Sequence, residues 1–257
     1  MKNRISLWSS LAAAAAVLLS SACVSVTSTE VHVLPDSLDP RTMTPALFTD
    51  VPEGLISELG VEEGIPSSLC AFLVRKDGKE ILFDSGNGVA DSQLIPGLEA
   101  LGIKPEDIDH VFITHLHGDH IGGMVNDGKA VFTNATVYLN KDEHDGWVDA
   151  ADMDMMKLYG DKIVLFDADD ELPCGVKAIK AYGHTPGHTM YRIDDVVFAG
   201  DIMHATALQL RNPDSCARFD QNREQSAKSR KEALAAFKEE GLKVYGMHFP
   251  EPYYIQF

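Results

Sequence analysis

Four side chains able to bind metal ions crowd into the segment THLHGDHIGG. They are His115, His117, Asp119 and His120. Alternate residues of an extended chain point the same way, so His115 and His117 can approach one ion together. Gly118 lets the backbone turn, which directs Asp119 and His120 to a second point nearby. Imidazole and carboxylate groups suit Zn²⁺ and related ions, and the spacing therefore predicts two converging pairs of metal ligands.

Three later segments carry residues of the same kind where apolar strands end or turn. GHTPGH contains His184 and His188, FAGD ends with Asp201, and YGMH ends with His248. A buried apolar strand has little packing reason to end in aspartate or histidine, whereas metal ligation supplies a reason. These segments are therefore candidates to complete the site that the first segment begins.

Together the motifs resemble those of metallo-β-lactamase-fold hydrolases, over roughly residues 30–250. They occur in the family order: DSG at 84–86, HLHGDH at 115–120, GHTPGH at 183–188, GD at 200–201, and His248. The resemblance implies an α/β protein with a four-layer αββα sandwich. The context GDIMHATALQL, followed by a helix led by aspartate, is most similar to the lactonases and methyl parathion hydrolases.

The resemblance also implies a site with two divalent metal ions, with zinc as the expected metal. One ion would be held by His115, His117 and His188, the other by Asp119, His120 and His248, with Asp201 bridging them. Asp119 and Asp201 are the expected catalytic residues, Asp119 as a ligand that can also pass a proton to the leaving group.

The resemblance assigns supporting roles to other residues. Asp84 is expected behind the metal loop, where it would orient a ligand. His184 is expected to be structural, because seven ligands already fill the site. His204 could polarise a substrate carbonyl or satisfy a local hydrogen bond. The segment 142–160 is the expected substrate-side element, with Trp147, Met153, Met156 and Tyr159 as an apolar wall beside the metals, although Met153, Met156 and Tyr159 could instead form the inner face of an amphipathic helix.

The implied chemistry is hydrolysis by a hydroxide that bridges the two metals. A lactone or related ester is the expected substrate, with phosphotriesters as a side activity. Asp201 argues against a β-lactamase, and the short segment after His248 argues against a glyoxalase II-like thioesterase. An iron-dependent oxidoreductase of the same fold and a metal-binding protein without activity remain alternatives.

The surrounding sequence predicts the elements that position these residues. LCAFLVRKDGKEILF reads as a hairpin turning at Asp77 and Gly78. IDHVFITH is a strand that leads into the histidine segment. A long helix is expected after Asp220, its N-cap, and before Gly241, with KVYGMH as the last strand.

Residues 1–22 have the pattern of a signal peptide: Lys2 and Arg4 precede an apolar run and small residues. A tether over 23–30 and one hydrolase domain over 31–257 would follow. The chain is therefore expected to be exported to the periplasm, and Cys23 leaves open a lipid-anchored form. A disulfide between Cys174 and Cys216 is one reading, and free thiols are the other.

Net charge limits the class of partner. The 257-residue chain has a formal charge of −17 and no run of basic residues. An acidic surface disfavours binding to nucleic acid, so a small-molecule substrate is expected.

Overall fold

The computed structural model describes residues 29–37, 39–147 and 149–257. The predicted signal peptide over 1–22 and most of the tether over 23–30 lie outside this part of the chain, so both stay predictions. Within the described residues, no helix has the length and apolar character needed to cross a membrane.

The strands follow one another along the chain in two main sets, before and after residue 170. They are β1 (Val31–Pro35), β2 (Arg41–Met43), β3 (Phe48–Thr49), β4 (Ile65–Ser67), β5 (Cys70–Lys76), β6 (Lys79–Phe83), β7 (His110–Ile113), β8 (Val125–Asn126), β9 (Lys129–Ala130), β10 (Thr136–Asn140), β11 (Ile163–Phe166), β12 (Lys177–Lys180), β13 (Thr189–Ile193), β14 (Val196–Phe198), β15 (Cys216–Ala217), β16 (Lys243–Tyr245) and β17 (Tyr254–Gln256).

Most helices are short and lie between strands. They are α1 (Leu55–Leu59), α2 (Leu94–Ala100), α3 (Gly118–Ile121), α4 (Lys141–Gly146), α5 (Asp154–Tyr159), α6 (Thr206–Gln209) and α7 (Arg223–Glu240). Single 3₁₀ turns occupy Pro45–Leu47, Pro105–Asp107, Gly122–Met124, Ala150–Asp152, Gly160–Lys162 and Pro173–Gly175.

Two sheets pack face to face with helices on their outer sides. The first has the strand order β1-β5-β6-β7-β10-β11 and the second β12-β13-β14-β16-β17. Aromatic side chains fill the space between them: the Phe83 and Phe198 rings, one from each sheet, stack with centroids 3.9 Å apart. Leu82 and Leu98 belong to the core between the first sheet and its helices, and Val244 and Phe237 to that between the second sheet and α7. The four-layer α/β sandwich expected from the sequence is confirmed.

Several local predictions are confirmed and others are wrong. The β5–β6 hairpin turns at Asp77 and Gly78, both with positive φ. Helix α7 ends at Gly241, but its N-cap is Asn222, whose side chain accepts the Gln225 N–H, and not Asp220. KVYGMH does not contain the last strand, because β17 pairs antiparallel with β16 and forms the sheet edge.

The cysteines form no disulfide in the described part of the chain. Cys70 and Cys216 are buried as free thiols, and Cys174 is partly exposed. Cys174 packs in the core between the sheets, whereas the Cys216 thiol donates a hydrogen bond to the Arg223 carbonyl. The reading with free thiols is therefore the right one.

Candidate metal centre

The first histidine loop begins where β7 ends at the middle of the first sheet. His115 is fully buried and His117 partly exposed, and the His115 Nε2 and His117 Nδ1 atoms lie 2.9 Å apart. Helix α3 starts at Gly118 and carries Asp119 and His120, and the His120 ring lies beside that of His115 with the centroids 4.0 Å apart. The alternation and the turn that the sequence predicts are therefore both present.

A third imidazole from the second sheet completes the first group. His184 lies in the turn between β12 and β13, and its Nε2 atom is 2.9 Å from His117 Nδ1 and 3.2 Å from His115 Nε2. The Asp201 Oδ2 atom is 3.3 Å from the same His184 nitrogen. His115, His117, His184 and Asp201 thus present four ligand atoms to one point.

The second group consists of Asp119, His120 and His248. His248 follows β16, and its Nε2 atom is 3.5 Å from Asp119 Oδ2. The His120 Nε2 atom is 3.9 Å from Asp119 Oδ1. These residues come from both sheets, as do those of the first group.

Asp201 lies between the two groups. Its Oδ1 atom is 3.1 Å from His120 Nε2, and its Oδ2 atom is 3.3 Å from His248 Nε2 as well as from His184. One carboxylate therefore faces ligand atoms of both groups. A bridging role for Asp201 therefore stays a prediction that this geometry permits.

The geometry fits divalent metal ions. Tetrahedral ligands at the usual zinc distances stand about 3.3–3.6 Å from one another, and the separations here range from 2.9 to 3.9 Å. His120 Nε2 and Asp201 Oδ1 are buried and have no hydrogen-bond partner among the described residues, although they face each other. A cation between the groups would satisfy both atoms, and the donor set of imidazoles and carboxylates suits zinc.

His188 does not join either group, which corrects the sequence-based assignment. Its Nε2 atom accepts the Asp201 backbone N–H at 2.8 Å, and its Nδ1 atom lies 3.1 Å from the Ala181 carbonyl. Both ring nitrogens are therefore engaged away from the ligand groups. His184, which the sequence analysis set aside as structural, takes the place expected for His188.

Buried carboxylates bind the imidazole ligands at the ring nitrogen that does not face the metal-binding groups. Asp84 Oδ2 is 2.7 Å from His120 Nδ1, and the Asp84 carboxylate also accepts the Thr114 N–H and hydroxyl. Asp220 Oδ1 is 2.7 Å from His184 Nδ1. The role expected for Asp84 is confirmed, whereas Asp220 was mistaken for a helix cap. Such partners fix the tautomer and orientation of a ligating imidazole.

Glu143 is a buried carboxylate that the sequence analysis did not single out. Its Oε1 atom accepts the Leu116 N–H at 2.9 Å and the Trp147 indole N–H at 2.7 Å. Its Oε2 atom accepts the Thr185 hydroxyl at 2.7 Å and the Gly187 N–H at 2.8 Å. Leu116 lies between His115 and His117, and Thr185 follows His184, so one carboxylate ties together both loops of the three-histidine group.

Burial and charge shift the pKa values of the ligand imidazoles in different directions. Burial lowers the pKa of His115 well below its usual value and that of His117 to about 4, so both rings are neutral. Burial also opposes a charged Asp201, but His120 and the other surrounding imidazoles outweigh it and hold the Asp201 pKa well below the usual range. For His184 the effect of burial is outweighed by Asp201 and Asp220, which raise its pKa to about 9, and Asp201 likewise raises the pKa of His120 and His248. Protons therefore offset the buried carboxylate, and a bound cation would take their place.

His204 lies behind the site. Its ring is fully buried, its Nε2 atom is 2.9 Å from Asp201 Oδ2, and it stacks on His248 at 5.2 Å between centroids. It is not among the residues that line the open pocket in front of the metal-binding groups. The structure therefore supports a local hydrogen bond for His204 and not contact with a substrate carbonyl.

An open pocket of about 380 Å³ leads to the two groups. His117, Asp119, Asp201 and His248 form its inner end. The outer walls are formed by Arg41, Thr42, Met43, Ser67, Ser68, Gly118 and Phe219. None of the described residues of the segment 142–160 lines this pocket: Met153 and Met156 pack against the core, and Trp147 packs there as well while its ring lies edge-on to that of His117, with the centroids 5.6 Å apart.

Comparison with known proteins identifies the family. The profile of the metallo-beta-lactamase superfamily matches residues 70–240, which include every group described above except His248 and the outer wall around Arg41. The chain belongs to the metallo-beta-lactamase superfamily.

Curated relatives match over shorter stretches. A probable metallo-hydrolase of Methanocaldococcus jannaschii is 31% identical over 121 residues, covering 47% of this chain and 50% of that protein. Ribonuclease Z of Haloferax volcanii is 39% identical over 69 residues, 26% of this chain and 20% of that protein. An N-acyl homoserine lactonase of Bacillus thuringiensis is 26% identical over 99 residues, 38% of each chain. The chain thus spans half or less of these relatives.

Solved structures match over most of the chain. AbOPH, described as a hydrolase in the beta lactamase superfamily, is 28% identical with a TM-score of 0.79, covering 89% of both chains. AidC, described as a dizinc quorum-quenching lactonase, is 23% identical with a TM-score of 0.79, covering 89% of this chain and 90% of AidC. The second likeness shows the shared superfamily fold.

Proposed function

We propose that this protein is a metal-dependent hydrolase that opens a lactone or cleaves a related ester at a dinuclear centre, most suitably of zinc. The observation that carries the proposal is the Asp201 carboxylate, which faces His120 through one oxygen and His184 and His248 through the other. A carboxylate shared between two ligand groups suits two adjacent cations, because its charge offsets part of theirs. The superfamily membership and the lactonases among its relatives support the same class of reaction.

The residues have distinct parts in this proposal. His115, His117 and His184 would hold one ion, Asp119, His120 and His248 the other, with Asp201 shared. Two ions bound there supply hydroxide near neutral pH and stabilise negative charge on the attacked carbonyl oxygen. No serine or cysteine nucleophile is needed in such a reaction.

Asp119 is suited to move the proton. Its side chain is about one third exposed and lies at the inner end of the pocket, whereas the Asp201 side chain is almost wholly buried. Its carboxylate can take the proton released when water becomes the nucleophile. It can then give that proton to the leaving alkoxide, so that the acid and the alcohol are formed in balance.

A substrate panel tests the reaction class. Zinc-loaded protein is assayed with acyl-homoserine and simple lactones, an aryl ester, an aryl phosphotriester, a β-lactam and a thioester. We expect turnover of lactones or esters, with phosphotriesters slower. Turnover of the β-lactam or the thioester alone would overturn the choice of substrate. Undiminished activity in a His120→Ala variant would show that the activity came from another protein.

Metal analysis tests the centre independently of turnover. We expect two zinc ions per chain in protein purified without chelator. A single iron ion without hydrolysis would support the oxidoreductase alternative. Binding of metal without turnover of any substrate would support a protein without catalytic activity.

We also propose that the chain is exported to the periplasm, which Lys2, Arg4 and the apolar run after them support. Cell fractionation and the mass of the mature N-terminus test this proposal. A Cys23→Ser variant distinguishes lipid anchoring from ordinary cleavage, because only an anchored protein would move from the membrane to the soluble fraction.

A further inference from the structure

Arg41 is the one lysine or arginine among the described residues that line the pocket in front of the metal-binding groups. It lies on β2, which pairs with β4 so that Arg41 is opposite Ser67. Ser67 lines the same pocket, and its hydroxyl donates to the His248 carbonyl. The pairing of β2 with β4 and the Ser67 hydrogen bond therefore connect the strand that carries Arg41 to His248, a candidate metal ligand.

The Arg41 guanidinium has no hydrogen-bond or ion-pair partner in the part of the chain that the structure describes. Two other exposed arginines have acidic partners: Arg75 binds Glu80 at 2.8 Å and Arg211 binds Glu58 at 2.5 Å. Asp39 and Glu251 line the neighbouring 270 Å³ pocket together with Arg41, yet neither comes within 4.0 Å of its guanidinium nitrogens. In a chain with 39 acidic and 22 basic residues, an unpaired arginine beside the site is available for a ligand.

The chemistry of the pocket limits what that ligand can be. A guanidinium group presents a planar fork of N–H donors that matches the two oxygens of a carboxylate or phosphate. Phe219, 39% exposed on the same pocket, offers an apolar surface for the rest of the molecule. The volume of about 380 Å³ lies near the lower end of the range for ligand pockets, which favours a compact molecule.

We propose that Arg41 binds an oxyanionic group of the substrate, and that the substrate is a compact lactone or ester bearing a carboxylate or a phosphate. This inference rests on the proposed hydrolase function. It narrows the substrate class away from neutral esters with long acyl chains. Arg41 is a specificity residue in this scheme, because it contacts a part of the substrate remote from the bond that breaks.

Matched substrates test the proposal. γ-Butyrolactone is compared with its γ-carboxylate derivative, and gluconolactone with its 6-phosphate, so that one arm reports a carboxylate and the other a phosphate. We expect Arg41→Gln to lower kcat/KM for the preferred anionic lactone by at least about ten-fold, mainly through KM. Turnover of the neutral partner should stay nearly unchanged, and Arg41→Lys should retain part of the preference.

Arg75→Gln is the matched control, because it makes the same change in net charge at an exposed position of β5. If Arg41→Gln lowered kcat/KM equally for neutral and anionic lactones, or if both variants lowered it equally, the assignment would be overturned while the hydrolase function stayed intact. Absence of any preference for the anionic partner in the unaltered protein would do the same.

A binding measurement separates the two proposals if no lactone is turned over. Calorimetry on zinc-loaded protein compares glutarate with pentanoate, which have the same number of carbons but differ in the second carboxylate. We expect glutarate to bind more tightly, and Arg41→Gln to abolish the difference. Equal affinity for the two acids in the unaltered protein would refute the anion site, whether or not the enzyme is a hydrolase.

Discussion

Replacement of Glu143 by glutamine should weaken one half of the metal centre more than the other. The carboxylate accepts four hydrogen bonds, from Leu116, Trp147, Thr185 and Gly187. Glutamine keeps one acceptor oxygen but turns an N–H₂ group towards two donors. Two hydrogen bonds to a charged acceptor are worth about 3–6 kcal/mol. Because a neutral amide costs less to bury, we expect a net loss of about 3 kcal/mol.

The loss of these hydrogen bonds should lower metal affinity only in the group whose loops Glu143 holds. The Leu116 and Thr185 bonds fix the loops that carry His115, His117 and His184, so we expect the zinc affinity of this group to fall about 10- to 100-fold. The group of Asp119, His120 and His248 should change little. Competition with a chromogenic chelator gives the two affinities, and the visible spectrum of cobalt-substituted protein identifies the group that has lost its metal.

Two variants serve as controls for Glu143→Gln. Asp84→Asn acts on His120 and should show the reverse preference, weakening the other group. Asp145→Asn makes the same acid-to-amide change at an exposed position of α4 and should alter neither affinity. Equal weakening of both groups by Glu143→Gln, or a lower melting temperature with both affinities intact, would refute the reasoning.

Three further predictions concern the ligands, the metals and the core. His184→Ala should remove one equivalent of zinc, whereas His188→Ala should keep the zinc stoichiometry and lower the melting temperature. Metal analysis and calorimetry test this prediction, and loss of zinc in His188→Ala alone would contradict the revised assignment. Chelation should lower the melting temperature, and added zinc should restore it in a concentration-dependent way, whereas a melting temperature independent of zinc would argue against a bound metal. Burial raises the pKa of Tyr159 to about 12, so the stability it contributes is complete below pH 10 and is lost as the pH rises towards 12. Tyr159→Phe should reduce that alkaline loss in urea titrations at pH 9 and 11, at a cost of about 1 kcal/mol for its hydrogen bonds, and an unchanged pH dependence would show that other groups cause it.

The sequence was sufficient for features that depend on neighbouring residues. The Asp77–Gly78 turn, the alternation of His115 and His117, and the turn at Gly118 each follow from local backbone geometry. The strand before each ligand was visible as an apolar run. The family resemblance then supplied the sandwich into which these pieces fit.

Features that depend on packing were not readable in the same way. His184 and His188 lie in one symmetric motif, and only the register of β13 shows which ring faces the site and which accepts the Asp201 N–H. Asp220 looked like a helix cap because it precedes α7, but its partner is His184. Glu143 looked like one more charge in an acidic segment. A signal was present in the tryptophan four residues later, since Glu143 and Trp147 lie at helical spacing and bond to each other.

The arrangement of the ligands across two sheets has a mechanical consequence. His115 and His120 follow a strand of the first sheet, whereas Asp201 and His248 follow strands of the second. Ions held at both points would therefore cross-link positions distant in sequence, much as a disulfide does: His115 and Asp201 are 86 residues apart, and His120 and His248 are 128 apart. Without them, only the packing between the sheets and the connecting chain would hold the two halves in register. The same centre would then govern both the reaction and the resistance of the sandwich to opening along its middle.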